Sequence, residues 1–304
     1  MMRSYRVNND YDGLRLDRWF KKNIAQIPQG LIEKFLRLGK IKVNKKKVKS
    51  SFKLKKDSMV YVFDLKLKKQ FDEKRFVIPN KHIKKSEQNI IFNNEDFIVV
   101  NKKPGISVQG GTKSKVNLVD IFKNSKIFEK NHPYTVHRID KETSGILIFA
   151  KNRKTAQFFT SLFRLRKIHK SYLSVCHGEL NSTSGELIHN LERYENNKIF
   201  REKAITKYKV IDRNLGFSLV QLNPLTGRKH QLRKQVSLIG HPIVGDKKYF
   251  SNIKSKKNLM LHAHTIKFIM NNRKINFEAD VPDYFLNFLN SKKLNYLNFL
   301  KNSK

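Results

Sequence analysis

Apolar positions along the chain change period several times, and each change marks a change of element. Leu16, Trp19, Phe20 and Ile24 fall on one helical face, and Leu31, Ile32, Phe35, Leu36 and Leu38 form a second amphipathic segment that Gly39 ends. Two such short helices must pack together. Lys40 to Asn44 then alternates at strand period, and 64–89 is polar and basic with no sustained periodicity, which reads as a linker. Within that linker Arg75 to Ile78 has the composition of a short strand that Pro79 would end. From Ile90 the pattern turns strand-rich. Ile90 to Phe92, a turn at Asn93-Asn94, and Phe97 to Asn101 predict a hairpin. Ala156, Phe159, Leu162 and Phe163 recur at helical spacing, and Ser171 to Cys176 alternates with Leu173 and Val175 on one face and Tyr172 on the other. Two further strands follow, Lys203 to Ile211 and Gly216 to Leu222. The next helix has Leu232, Val236 and Ile239 as its stripe and Gly240 as its cap. Leu259 to Met270, a turn at Asn271-Asn272, a strand at Ile275 to Phe277 and a short helix near Tyr284 to Leu289 complete the pattern, with 291–304 as a frayed basic tail.

The segment richest in chemistry is Thr135 to Lys151. Ile146 to Ala150 has the length and branching of a buried strand, and a charged loop precedes it. Asp140 therefore sits beside the core, where a carboxylate is costly unless cations or donors compensate it. Arg138 and Lys141 are the nearest cations in sequence, so an ordinary ion pair at a strand end is the bland alternative to catalysis. Arg233 lies in the first turn of its helix, off the apolar stripe. A cation there opposes the helix dipole, which calls for a specific anionic partner, and Asp140 is the candidate.

Composition adds a partner class. Lys+Arg of 64 against Asp+Glu of 25 gives a formal net charge of +39, which suits a polyanion. Abundant Lys, Asn, Ile and Phe also fit a general compositional bias, so local distribution is the better guide: 37–56 holds ten basic residues and no acidic one. The single Cys176 excludes an intramolecular disulfide and a cysteine-built zinc site. His262 and His264 share a strand face but have no third ligand nearby, so they read as ordinary polar strand residues. The first residues lack a signal-peptide core and no run is long enough to span a membrane, which leads to the expectation of a cytoplasmic protein with no membrane partner. Gly105, Gly110 and Gly111 flank a loop without the Gly-Lys-Ser/Thr ending of a P-loop.

The string His137-Arg138-Ile139-Asp140-Lys141-Glu142-Thr143-Ser144-Gly145 resembles the HRLDxxTSG signature of the RluA/RluC/RluD family of RNA pseudouridine synthases, with Ile139 in place of Leu. Lys170-Ser171-Tyr172-Leu173, Pro224 to Arg233 and Gly240 to Asp246 extend the resemblance in the same order. It implies an α+β fold with a mixed, mainly antiparallel sheet over 90–290, and isomerisation of uridine in RNA with no cofactor and no metal. Asp140 takes the place of the family's catalytic aspartate and Tyr172 that of the pocket tyrosine, as a stacker and proton acceptor. Arg233 is assigned to pairing with Asp140, with Arg228 as the alternative for that role and otherwise an RNA contact. Arg138 is assigned to RNA, and His137 to bracing the loop at the RNA-binding edge. A core tyrosine with a satisfied hydroxyl is the alternative for Tyr172.

The chain before the linker, 1–63 with a core at 14–60, resembles the S4-type RNA-binding module, which would place Arg37, Lys40, Lys42 and Lys45 near phosphates. Each neutralised phosphate contributes about −0.7 to −0.9 to the salt slope of binding, without reading sequence. The loop Ser107-Val108-Gln109-Gly110-Gly111 is closer to the RluC branch than to the RluD branch, with Gln109 as a departure. The expected partner is 23S ribosomal RNA, free or in a pre-ribosomal particle, and the expected state is a monomer. A non-catalytic ribosome-assembly factor and an N-glycosidase are the competing classes. A glycosidase typically needs a second carboxylate, for which Glu142 is the only near candidate.

Overall fold

The computed structural model of the chain describes residues 2–25, 27–63, 78–110, 116–128, 132–195, 198–250 and 258–296. The chain divides into two compact units, Met1–Val77 and Ile78–Lys304. No helix among the described residues is long and apolar enough to cross a membrane.

The first unit runs β1 (Met2–Arg6), α1 (Leu16–Asn23), α2 (Gln29–Arg37), β2 (Ile41–Val43) and β3 (Met59–Phe63), with the strands in the antiparallel order β1-β3-β2. Its core is formed by Leu16, Trp19, Phe20, Ile32 and Leu36 from the helices and Ile41, Val43, Val60 and Val62 from the sheet. The apolar stripes predict these helices because burial of those faces is what holds them. Strand β1 has no such signal: it is mostly exposed, and its attachment is the backbone ladder to β3.

The second unit is α+β. In chain order it comprises α3 (Asn80–Glu87), β4 (Ile90–Asn93), β5 (Phe97–Lys102), α4 (Leu118–Lys123), β6 (Tyr134–Thr135), β7 (Ser144–Ala150), α5 (Arg153–Arg164), β8 (His169–His177), β9 (Ser184–Glu195), β10 (Lys198–Asn214), β11 (Phe217–Pro224), α6 (Gln231–Leu238), β12 (Leu261–Met270), β13 (Arg273–Glu278) and α7 (Asp283–Ser291). One mixed sheet runs β4-β5-β7-β12-β8-β11-β10-β9, with β13 on β12 and β6 on β7; β7 and β12 pair in parallel and the other ladders are antiparallel. Alternation along β5 and β7 sends Ile98, Val100, Leu147 and Phe149 to one face, under Ile121 and Phe122 of α4, and Phe97, Val99, Ile146 and Ile148 to the other, under Phe159 of α5. Strands β8 and β11 share a third cluster with α6 and α7.

Several expectations need correction. Residues 80–87 of the expected linker form helix α3, whose one apolar anchor, Ile83, is too little for a readable period; 64–77, including 75–77 of the expected strand, lie outside the described residues. Strand β9 was not anticipated, because its buried Leu187 and Leu191 are interrupted by His189 while Ile188 faces solvent. The tail is ordered as far as Leu294 and Tyr296, which pack on the core; 297–304 lie outside the described residues.

The parallel join of β7 to β12 sets the position of the loop before β7. At that join Gly145 has φ +104°, and a methyl group there would lie 2.2 Å from the Ala263 carbonyl oxygen. Gly216, at φ +72°, has open space around it. Gly216→Ala is therefore expected to cost about 1–2 kcal/mol of conformational strain, whereas Gly145→Ala adds a backbone collision and should destabilise the second unit by at least about twice as much. Calorimetry of the two variants beside the wild type checks the ranking, and equal costs would contradict the close approach.

Candidate active site

Strands β6 and β7 frame a loop, Val136 to Thr143, that carries most of the charged signature. His137 turns inward: the backbone N–H of Ile148 donates to its Nε2 at 2.9 Å and its ring stacks on Phe163 with centroids 4.6 Å apart. Burial, and secondarily the charge of Lys170, hold its pKa down to about 3, so the imidazole is neutral and its acceptor nitrogen is committed to the sheet. His137 thus braces the loop, and its Nε2 is not a donor for RNA. Lys102, 1% exposed, fastens the other side: its Nζ donates to the carbonyls of Lys103, Ile106 and Lys141 at 2.9, 3.1 and 2.9 Å. Burial pushes this ammonium down to about 7, against the pull of the Glu142 and Asp140 carboxylates.

Asp140 emerges from this framework with its side chain 24% exposed, partly sheltered and still open to a ligand. Arg233 Nη1 reaches its Oδ2 at 3.4 Å, and His230 Nε2 lies 3.7 Å from its Oδ1. The stronger partner of Arg233 is Asp246, which accepts from Nε and Nη2 at 2.7 Å each in a buried bidentate pair. Burial alone would raise the Asp246 pKa, but the Arg233 hydrogen bonds and the N–H groups of Lys248 and Tyr249 bring it below the usual carboxylate range. The expectation that Arg233 pairs with Asp140 is therefore met by a secondary contact; the anion that explains a buried arginine in the first turn of α6 is Asp246.

Helix α6 is itself pinned by a satisfied polar network. Gln231 accepts from Thr226 Oγ1 and Arg228 N and donates to Ile205 O and Thr206 Oγ1, while Gln235 accepts from Thr206 Oγ1 and donates to Leu187 O and Ala204 O. Both glutamines are buried, so each lost bond would strand a polar group. His230 precedes the helix in the left-handed region, φ 53°, and its Nδ1 lies 2.8 Å from the Tyr249 hydroxyl. The Tyr249 ring also sits 5.2 Å from the Arg233 guanidinium. Burial lowers the pKa of His230 although Asp140 pulls it up, with Arg233 and neighbouring lysines adding to the lowering.

Tyr172 packs between two core clusters and is half-buried. Burial, then the Asp140 carboxylate, raise its pKa well above the usual tyrosine range, so the phenol stays protonated and presents an aromatic face and a hydroxyl. Arg138 is exposed on the loop. Arg228 does not reach Asp140: its Nη1 pairs with Glu202 at 3.3 Å and its Nε donates to Lys203 O, which removes it as the alternative partner. In the first unit Arg37 ends α2, Lys40 and Lys42 flank and enter β2, and Lys45 occupies the following turn at φ 63°. His262 bridges Ser144 and the Ala279 carbonyl, and His264 meets the same carbonyl and Glu278; no group of three metal-ligating side chains occurs among the described residues.

Sequence reasoning did not find Asp246, His230, Tyr249, Gln231, Gln235 or Lys102. Asp246 stood in a quoted motif, and the misplaced arginine was the signal that called for it.

Residues 96–238 match the family described as RNA pseudouridylate synthase. The ribosomal large subunit pseudouridine synthase C of Buchnera aphidicola subsp. Schizaphis graminum is 31% identical over 303 residues, covering 94% of this chain and 96% of that protein. The protein of the same name from Rickettsia felis is 33% identical over 294 residues, covering 89% and 94%. Among solved structures, human RNA Pseudouridylate Synthase Domain Containing 4 superposes with a TM-score of 0.62 at 24% identity, over 70% of this chain and 96% of that one.

Two outcomes follow from the geometry. Asp246→Ala strands a buried guanidinium and is expected to cost about 3–5 kcal/mol, while Asp140→Ala removes two long contacts, to Arg233 and His230, and should cost less than about 1 kcal/mol. Denaturant-dependent hydrogen exchange of the β8 and β12 amides measures both, and equal costs would make Asp140 the anchor. For His137, the unfolded chain binds the proton first as pH falls. Its neutral form contributes stability above pH 6.5 that is lost progressively towards about 3. His137→Gln keeps an acceptor and does not titrate, so wild type should lose about 2 kcal/mol relative to this variant between pH 7 and 5; a constant difference would refute the neutral histidine.

Proposed function

The chain belongs to the RNA pseudouridylate synthase family, and we propose that it converts specific uridines of large-subunit (23S) ribosomal RNA to pseudouridine, with Asp140 as the catalytic carboxylate and no cofactor. The observation that carries this reading is a half-sheltered carboxylate at the mouth of a buried strand, held by a cation that is itself fixed by a second carboxylate. Relatives named as ribosomal large subunit pseudouridine synthase C match nearly the whole chain, the first unit included, which supports the RluC-type substrate over the RluD-like one.

The reaction breaks the N1–C1′ bond, turns the uracil and forms the C5–C1′ bond, with a proton lost at C5 and one gained at N1. Atoms are conserved, so no water is consumed. A carboxylate beside the anomeric carbon serves either of two routes, addition at C1′ or removal of the 2′ proton to give a glycal. Arg233 acts on Asp140 as a positioning residue, and the Asp246 pair keeps the guanidinium aimed. Extruding the uridine costs a few kcal/mol, and one stacking platform returns about 1–3 kcal/mol, so the Tyr172 face offsets much of that cost. Its protonated hydroxyl makes stacking and hydrogen bonding its primary tasks. Arg138, exposed on the same loop, faces the RNA as the base leaves its stack.

The first unit is assigned to sequence-independent RNA contact as an S4-like module over 1–63, with Arg37, Lys40, Lys42 and Lys45 on phosphates. What supports this is its basic run between α2 and β3 on a small two-helix, three-stranded core. The catalytic domain is then the second unit, wider than the expected 90–290, since Ile78 and Ile83 on one side and Leu294 and Tyr296 on the other pack on its core.

The test is Asp140→Asn on unmodified 23S ribosomal RNA transcript. The variant should form pseudouridine at less than about one thousandth of the wild-type rate, with RNA affinity within about threefold, as read by carbodiimide primer extension and filter binding. Modification at the wild-type rate would refute the assignment. Free uracil released by the wild type would favour an N-glycosidase, and RNA binding by the wild type without turnover a non-catalytic assembly factor.

A further inference from the structure

We propose that the β9–β10 hairpin carries a nucleobase-stacking subsite, built from Phe200 and Arg193, that holds an unpaired base of the RNA substrate outside the catalytic cleft. This rests on the reading of RNA as substrate and adds a contact that the catalytic residues do not supply.

Phe200 and Arg193 stand directly opposite each other in the antiparallel ladder, so both project from one face, and the guanidinium lies 5.3 Å from the ring centroid. The ring is 41% exposed. A lone exposed phenylalanine would need no explanation, but this one ends a charged row that begins at the active-site helix. On the same face of β10, Ala204 and Thr206 lie beneath α6, where Gln235 bonds both of them. The next residue outward on that face, Glu202, has Arg228 at 3.3 Å on one side and Arg193 at 3.8 Å on the other. Two guanidiniums thus flank one carboxylate along this row. It is joined to α6 again where Lys234 Nζ donates to the Glu192 carbonyl at 3.0 Å.

At a rise of about 3.3 Å per residue, Phe200 is about 13 Å along the strand from Ala204. The ring therefore lies beyond the helix, where a nucleotide flanking the target would pass. The chemistry fits a base: an aromatic face stacks on any nucleobase without sequence preference, and a guanidinium on that face can stack as well and meet the adjoining phosphate. The guanidiniums along the row match the phosphate backbone, and that complementarity identifies single-stranded RNA as the occupant.

The experiment uses the full chain and unmodified in vitro transcribed 23S ribosomal RNA under steady-state conditions. Phe200→Ala is expected to raise KM about 5- to 150-fold, the worth of one stacked base, with kcat within about twofold of wild type. Phe200→Tyr should restore both constants to within about twofold. Arg193→Ala should flatten the dependence of log KM on log salt by about 0.7, one phosphate contact on a single strand, whereas Phe200→Ala leaves that slope unchanged. The Arg193→Ala slope stands as an independent reading should Phe200→Ala prove unstable. A Phe200→Ala KM equal to wild type, or a fall in kcat at unchanged KM, overturns the subsite. If wild type converts the transcript and Phe200→Ala matches it, only this inference falls; if wild type does not convert it, the proposed function falls and the inference with it.

Discussion

The buried bidentate pair between Arg233 and Asp246 is the interaction on which the site depends. Desolvating a guanidinium and a carboxylate is costly, and only near-ideal geometry offsets it; here two 2.7 Å bonds and two backbone N–H groups on Asp246 provide that geometry. An arginine so held can extend its remaining Nη1 towards Asp140 without wandering. The contact to Asp140 is the longer one, 3.4 Å, so that carboxylate is not fully consumed by a structural ion pair. The pair further fixes the start of α6, where His230 in the left-handed region approaches Asp140 and Tyr249.

Around that pair, three sets of contacts hold the loop of Asp140 to the sheet. His137 accepts a strand N–H, Lys102 gathers three carbonyls, and Gly145 lets β7 meet β12 at a distance that no side chain allows. Each uses a polar group or a missing one inside an otherwise apolar core, so each is costly to disturb. Rigid support behind a loop with one exposed arginine and one sheltered carboxylate is the arrangement that positional catalysis requires.

Much of the architecture was legible where burial imposes a period. The α1 and α2 stripes, the β4–β5 hairpin, β7, β8 and the α6 stripe with its glycine cap all follow from apolar spacing. Elements with little to bury were not: β1 is held by its backbone ladder, α3 by one isoleucine, and β9 alternates through a histidine. The site divided along the same line. Asp140, Tyr172 and Arg233 were visible as residue types in motifs, but the identity of the arginine's main partner was not, because a pairing between a helix N-terminus and a residue 13 positions on is decided by packing. The glutamine network beneath α6 carries no sequence signature, since a buried glutamine and a surface one read alike until their partners are known.

The proposed chemistry requires the Asp140 side chain to meet the sugar of an everted nucleotide. The most direct measurement is a structure of the full chain with the Asp140→Asn side chain, bound to RNA carrying its target uridine. The expected result is the residue 140 carboxamide within about 3.5 Å of C1′ or C2′ of that nucleotide, with the uracil against Tyr172. A target uridine still stacked in its RNA, or seated where residue 140 cannot reach its ribose, would contradict it.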